Sequence, residues 1–242
     1  MSVSAAITVN QILTRVAAET GLPHDPDPFG SSREEYNQLR ALLQTACEDL
    51  CLANDWEFLT RPFTILTTDT DPASYPLPDD FSHFIPDTEW NHSTDEPIFP
   101  LSAQQWRAIK ASDINPINWA YRIMGGKIEL IPFPVSPDND LRFEYSSRYF
   151  AIRHLLTDEP TDTIESGSDT ILFDRTLISR YLKYLWLSAK GFDSTEAASA
   201  FNQIFGFLVG KDDAATTLNA GRRGRGFRML NMRNAPDQGY GQ

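Results

Sequence analysis

Cysteine is scarce in this chain. Two thiols among 242 residues, Cys47 and Cys51, exclude a disulfide framework and fit a reducing compartment. Spaced four apart, they share one face of a helix and read as small buried hydrophobes. No stretch approaches the ~18 to 20 consecutive apolar residues of a membrane span. The first residues, Met-Ser-Val-Ser-Ala-Ala, lack the basic flank and apolar centre of a signal peptide, so synthesis in the cytosol is expected. Histidine is limited to His24, His83, His92 and His154, with no metal-ligand spacing to each other or to a cysteine. A phosphate loop and a Gly-x-Ser-x-Gly elbow are both missing.

Paired acids are present: Asp25 and Asp27, Asp69 and Asp71, Asp79 and Asp80, Asp138 and Asp140. Asp25 to Gly30 fails as a calcium loop. The fifth and twelfth positions are Phe29 and Tyr36 instead of an Asp or Asn and a Glu. Beside so many prolines the acids read as turn formers. A glycan hydrolase with two flanking carboxylates is one alternative, but no pair has the apolar setting that raises one carboxyl above the other. The expectation is therefore a protein with no catalytic residue, no metal and no cofactor.

Charge is uneven. The net charge is −12. From Ala214 to Gln242 five arginines face Asp237 alone, giving +4 and leaving −16 for the rest, since −12 less +4 is −16. Lysine is absent after Lys211. An acidic body with a basic end suits an acidic protein partner, another copy, or nucleic acid. Arg-Gly segments bind single strands with little sequence reading, which makes a nucleic-acid-binding protein the second alternative.

The periodicities give an order of elements. Val9, Ile12, Leu13, Val16 and Ala17 form a helical stripe, with Thr8 and Gln11 as a capping box and Gly21 as the stop. A loop with three prolines follows, from Leu22 to Gly30. Ser32 and Glu35 suggest a second capping box. The helix behind it repeats Tyr36, Leu39, Leu43, Ala46, Leu50 and Ala53 at steps of three and four, a heptad-like seam closed by Trp56 and Phe58. Beyond Arg61 the period drops to two. Strands are predicted from Phe63, over Ser74 to Phe81, Ile98 to Leu101, Trp119 to Met124, Lys127 to Ile131 and Leu141 to Ser146. Gly125-Gly126 marks a hairpin, and Gln104 to Ala111 reads as a short helix. Helices return at Leu177 to Lys190, apolar nearly all round and ended by Gly191. Another follows from Asp193, with its stripe on Ala197, Phe201, Ile204, Phe205 and Leu208 and its stop at Gly210.

These elements predict an α+β protein. An antiparallel, up-and-down helical bundle would join the N-terminal helix pair (1–60) to a C-terminal αα-hairpin (171–210). A small antiparallel β lobe (61–170) would be inserted between them, and a Gly/Arg-rich docking tail (211–242) would follow.

The order of motifs resembles the head-to-tail adaptor proteins of short-tailed bacteriophages, the tubular tail adaptor family. The stretches that carry it are Glu48 to Leu59, Tyr75-Pro-Leu-Pro-Asp-Asp-Phe81, Gly126 to Pro134 and Leu141-Arg-Phe-Glu-Tyr145, followed by the late helices; together they span roughly residues 5 to 210. The proline- and Asp-rich loops, 86–100 and 158–169, depart most from the pattern. The resemblance implies a twelve-fold homo-oligomeric ring in the neck of the virion, with the helices toward the portal and the β lobe toward the tail nozzle. Genome DNA would pass through the lumen without sequence-specific binding. An acidic lining would let the duplex slide.

Two residue sets follow. Tyr36, Leu39, Leu43, Leu50, Tyr181, Tyr184 and Trp186 would pack helices around the ring, because so much apolar helix surface exceeds what a small bundle buries. In the tail, Arg222, Arg223, Arg225, Arg228 and Arg233 would pair with portal carboxylates. Phe227, Met229, Leu230 and Met232 would anchor in an apolar groove between portal subunits.

Overall fold

The computed structural model describes residues 7–67, 74–112, 118–131, 139–154 and 158–213. The chain opens with β1 (Ile7–Thr8) and α1 (Val9–Thr20). Thr8 and Gln11 form the expected capping box, and Gly21 takes the left-handed conformation, φ 74°, that ends the helix. α2 (Glu34–Ala53) starts differently from expectation. Arg33 occupies the capping position with extended backbone and no side-chain cap, so Ser32 does not form the second capping box. Glu34 and Glu35 in the first turn instead offset the exposed N–H groups there. The seam buries Tyr36, Leu39, Leu43, Ala46, Cys47, Leu50 and Cys51, while Ala53 is exposed. Behind the helix, the Trp56 indole N–H donates to the Leu50 carbonyl at 2.7 Å, satisfying one of the acceptors that a helix end leaves open.

After a short turn at Glu57–Leu59 come β2 (Thr60–Leu66), β3 (Ser74–Pro76), β4 (Phe81–Phe84), β5 (Trp90–Asn91), β6 (Glu96–Pro97) and β7 (Phe99–Pro100). Then follow α3 (Ala103–Ser112), β8 (Ala120–Met124), β9 (Lys127–Ile131), β10 (Asp140–Ser147), β11 (Ala151–His154), β12 (Asp158–Thr161) and β13 (Thr170–Ile171). The hairpin of β8 and β9 turns on Gly125 and Gly126, φ 61° and 73°, the two positive values that a tight hairpin of this hand needs. β10 is the hub of the second sheet. It pairs along its length with β2, Phe143 opposite Phe63, and on its other edge with β4 and β5. Every strand pair is antiparallel among the described residues except β7 with β8.

α4 (Arg175–Ala189) and α5 (Thr195–Asp213) close the described chain. The Asp174 carboxylate caps α4, accepting from Thr176 and Leu177 N–H. α4 touches α1, α2 and α5, which accounts for its apolar residues on several sides. α5 runs through Gly210 to Asp213, because Gly210 does not adopt the positive φ that stops α1 at Gly21.

The expected architecture, a helical bundle with a small inserted β lobe, is wrong. Among the described residues there are five α-helices and thirteen strands in three sheets, a β-rich α+β fold. Two things hid this. β1, β11, β12 and β13 make a sheet, in the order β1-β13-β11-β12, from strands of two to four residues, too short to show a period. That sheet is built onto the helices. Ile7, Phe150, Ala151, Ile171 and Phe173 share one core with Leu13, Leu43, Leu50, Leu177 and Trp186. The second core lies within the other two sheets and gathers Ile65, Phe84, Tyr121, Ile128, Leu130, Leu141 and Phe143.

Candidate assembly surfaces

Several candidate reactive groups among the described residues are tied up locally. Burial pushes the Cys47 thiol well up and carries the Cys51 thiol up to about 12, so neither is a ready nucleophile. The Asp25 carboxyl is held low, first by the Ser31 hydroxyl and then by the Asp27 N–H at 3.1 Å, as a turn-forming acid should be. Asp140 is held low by its hydrogen bonds from Arg142. No cluster of three or more metal-ligating side chains occurs among the described residues, nor does any described helix have the length and apolarity to cross a membrane.

One hydrogen-bonded chain has the residue types of a catalytic triad. Ser82 Oγ lies 3.1 Å from His83 Nδ1, and His83 Nε2 lies 2.7 Å from Asp55 Oδ1. The imidazole and the carboxylate are both more than a third exposed. The chain links β4 to the turn after α2, and so clips one core to the other. Ser82 and His83 are adjacent in sequence, and the third member lies 28 residues away, so no local spacing signals the arrangement.

Buried polar groups in the second core were not foreseen. The Tyr121 hydroxyl donates to the buried Glu89 carboxylate at 2.6 Å. Burial first, and this bond next, push the tyrosine well above its usual range. The Asn91 side-chain amide donates to Asn139 Oδ1 at 3.0 Å, and its Oδ1 accepts from Ser93 N–H at 2.9 Å. The proline-rich loop of residues 86–100 is thus stitched to β10 by amides. In the first core Asp169 is fully buried and accepts from Glu165 and Ser166 N–H. The one sequence signal is an acid or amide beside strand residues, which loops also carry.

The residues expected to pack a ring divide. Tyr36, Leu39, Leu43, Leu50 and Trp186 lie buried inside the chain's own first core. Tyr181 and Tyr184 are half-buried on α4, their rings stacked 6.2 Å apart. Tyr181 also stacks on Phe201 at 4.4 Å and donates to Asp49 at 2.8 Å, tying α4 to α5 and α2. Arg222, Arg223, Arg225, Phe227, Arg228, Met229, Leu230, Met232 and Arg233 lie outside the described residues. The structure does fix the point from which that segment departs. Asp212, at the end of α5, accepts from Glu57 N–H at 3.1 Å, beside the rings of Trp56, Phe58, Phe173 and Phe205.

What remains on the surface is apolar in places that the described residues do not cover. No described side chain of α5 is fully buried, and Phe207 on it is 65% exposed. Leu52 on α2 is 73% exposed, and Ile123 and Met124 at the β8–β9 hairpin are exposed as well. A groove of about 420 Å³ lies between α2 and the segments on either side of it, lined by Phe29, Arg40, Leu43, Gln44 and Ile164. Surfaces of this kind serve contact with other chains.

No curated protein matches the chain. A family model described as SU10 adaptor protein matches residues 7–232. That range covers both cores and most of the Arg-rich segment. The chain therefore belongs to the SU10 adaptor protein family: it is a phage adaptor, a viral structural protein with a head–tail role.

Proposed function

We propose that the chain forms the ring that joins the portal to the tubular nozzle of a short-tailed phage, in twelve copies, with genome DNA passing through the lumen. The observation that carries this is α5, a 19-residue helix without a fully buried described side chain, which leads directly into the Arg-rich segment. A monomer that had only to fold would bury such a helix. A subunit that closes a ring leaves it for a neighbour. Tyr181 and Tyr184 contribute to that exposed helical side, and Tyr36, Leu39, Leu43, Leu50 and Trp186 support it from beneath. The helix-bearing core faces the portal and the aromatic β core faces the nozzle.

The chain divides functionally at 1–60, 61–170, 171–210 and 211–242. The last part docks on the portal through Arg222, Arg223, Arg225, Arg228 and Arg233 for charge and Phe227, Met229, Leu230 and Met232 for anchoring. It is not an enzyme in this reading, and its −16 body repels DNA phosphates rather than reading bases.

Mass photometry of the purified protein with and without portal rings tests the assembly. Rings alone, or stacked on portals, are expected. A chain truncated after Asp213, where α5 ends, should fold and lose portal binding. Undiminished binding by that truncation would sink the docking role. The +4 charge of the last segment favours one second reading, nucleic-acid binding. A gel shift with strong salt dependence from the isolated protein would favour it instead.

A further inference from the structure

Leu52 and Phe207 are exposed on different helices; acids flank Leu52, and a single lysine, Lys211, ahead of Asp212 and Asp213, stands one turn from Phe207. On α2, Leu52 follows Ala41, Thr45 and Glu48 along the exposed side, with Glu48 one turn before it and Asp55 three residues after it. On α5, Phe207 stands with Gln203 one turn before it and the exposed Lys211 one turn after it. Gly206 and Gly210 flank it, and a Cβ added at either would meet nothing within 4 Å. The surface around the Phe207 ring is therefore low enough for a second helix to lie close. α5 packs on α4 through its other side, the side of Phe201, Phe205 and Leu208.

We propose that the Phe207 side of α5 in one copy packs on the Leu52 side of α2 in the next copy. The ring packs Phe207 and Leu52 together and brings Lys211 within reach of Glu48 and Asp55. Two different patches on one chain, complementary to each other, make a head-to-tail contact. Such a contact closes into a ring when each copy meets a different neighbour through each patch, whereas a two-fold dimer would pair both patches with a single partner. The Lys211 ammonium set against Glu48 and Asp55 fixes the register. This contact rests on the ring reading given above and specifies which surfaces make it.

The test uses the full-length chain and two single variants, Phe207→Asp and Leu52→Asp, both at exposed positions. Each variant should keep the wild-type circular dichroism and lose the ring, with the concentration for half-assembly rising roughly 30-fold or more. Mixed together, the two variants should form a heterodimer, since each retains the one patch that the other needs. Sedimentation velocity reads all of these states. Wild-type rings with variants that also form rings would overturn this contact and leave the ring reading standing. Variants that form homodimers, or a mixture that stays monomeric while the wild type forms rings, would also overturn it. A wild type that is monomeric alone and on portals overturns the ring reading and the contact together.

Discussion

The two cores of this chain are made of different material. The first, around α1, α2 and α4, is mostly aliphatic: Ile12, Leu13, Leu39, Leu43, Leu50, Leu177 and Leu182 fill it, and the buried rings of Tyr36, Trp56, Phe150, Phe173 and Trp186 stand among them. The second is centred on rings. Phe84 stacks on Phe143 at 5.1 Å and meets Tyr121 edge-on at 5.5 Å, with Phe63 at 6.3 Å and Phe81 at 4.9 Å. Around these rings stand Glu89, Asn91 and Asn139, all buried. Helices bury a continuous stripe and need little else. A strand turns only every second side chain to one face, so large rings supply area and hydrogen bonds to buried groups supply definition. The first core should therefore be sensitive to volume, and the second to volume and to polar pairing.

Removing a ring and removing an aliphatic side chain should separate the two cores. Phe143→Ala should cost about 3–5 kcal/mol and Leu43→Ala about 2–5 kcal/mol. The two clusters share no residue, so urea unfolding followed by hydrogen exchange should show each variant lowering protection in its own core. If both variants lower every protected amide equally, the chain unfolds as one unit and the comparison fails.

Polar pairing is the next test. Tyr121→Phe leaves the Glu89 carboxylate buried without the donor at 2.6 Å, and should cost about 1–3 kcal/mol. Tyr181→Phe frees the half-exposed Asp49 to water instead, and should cost less than Tyr121→Phe by chemical denaturation. Equal losses would mean that burial of the acid is unimportant.

The same groups predict a loss of stability in alkali. Tyr121 and Tyr145 in the second core and Tyr181 near the first all titrate above their ordinary value of 10.0, in each case because burial opposes the phenolate first and a hydrogen bond to an acid next. A tyrosine raised on folding keeps its proton in the native state after the unfolded chain has lost its own. Its stabilisation is thus complete below pH 10 and is lost as pH rises above it. The first core also holds Tyr36, raised first by burial and then by Asp25, so protection should fall above pH 10 in both cores, the second included. Tyr121→Phe should flatten the slope of the second.

The helices were legible because their stripes repeat over several turns and some carry their own signals: Thr8 caps α1, and Gly21 and Gly191 follow the ends of α1 and α4 with positive φ. α5 was misread at Gly210 because a helical glycine and a stopping glycine are the same letter; only the backbone tells them apart. The long strands and the Gly125-Gly126 hairpin were legible too. The sheet on the helices was not. Ile7–Thr8 and Thr170–Ile171 are two residues each, and their pairing joins positions more than 160 residues apart, which no local pattern encodes. For the assembly surfaces, the heptad seam was visible, but a seam does not say which chain covers it. Most of its residues proved to serve the chain's own core, and the exposed Leu52 and Phe207 stand off the stripes that were read.

A cap tests the first core more gently. Thr8→Ala removes the side chain that accepts from Gln11 N–H and should cost about 1 kcal/mol, seen as earlier exchange of the first turn of α1. β1 ends at the same residue, so a loss well above 2 kcal/mol would show that strand and helix start depend on one another.

The smallest expected effect has the opposite sign. Gly206 lies inside α5 with nothing within 4 Å of the place where a Cβ would stand. Alanine there adds no clash and restricts the unfolded chain, so Gly206→Ala should stabilise the isolated subunit by about 0.5–1 kcal/mol. Gly21→Ala, at φ 74° and with the same open space, should destabilise it, because there the backbone itself excludes a side chain. The contrast isolates what Gly206 is for. If alanine stabilises the subunit and leaves assembly unchanged, the glycine is incidental. If it stabilises the subunit but weakens the ring, the open space beside Phe207 is filled by a neighbour, and a helix that looks poorly packed in one copy is well packed in the assembly.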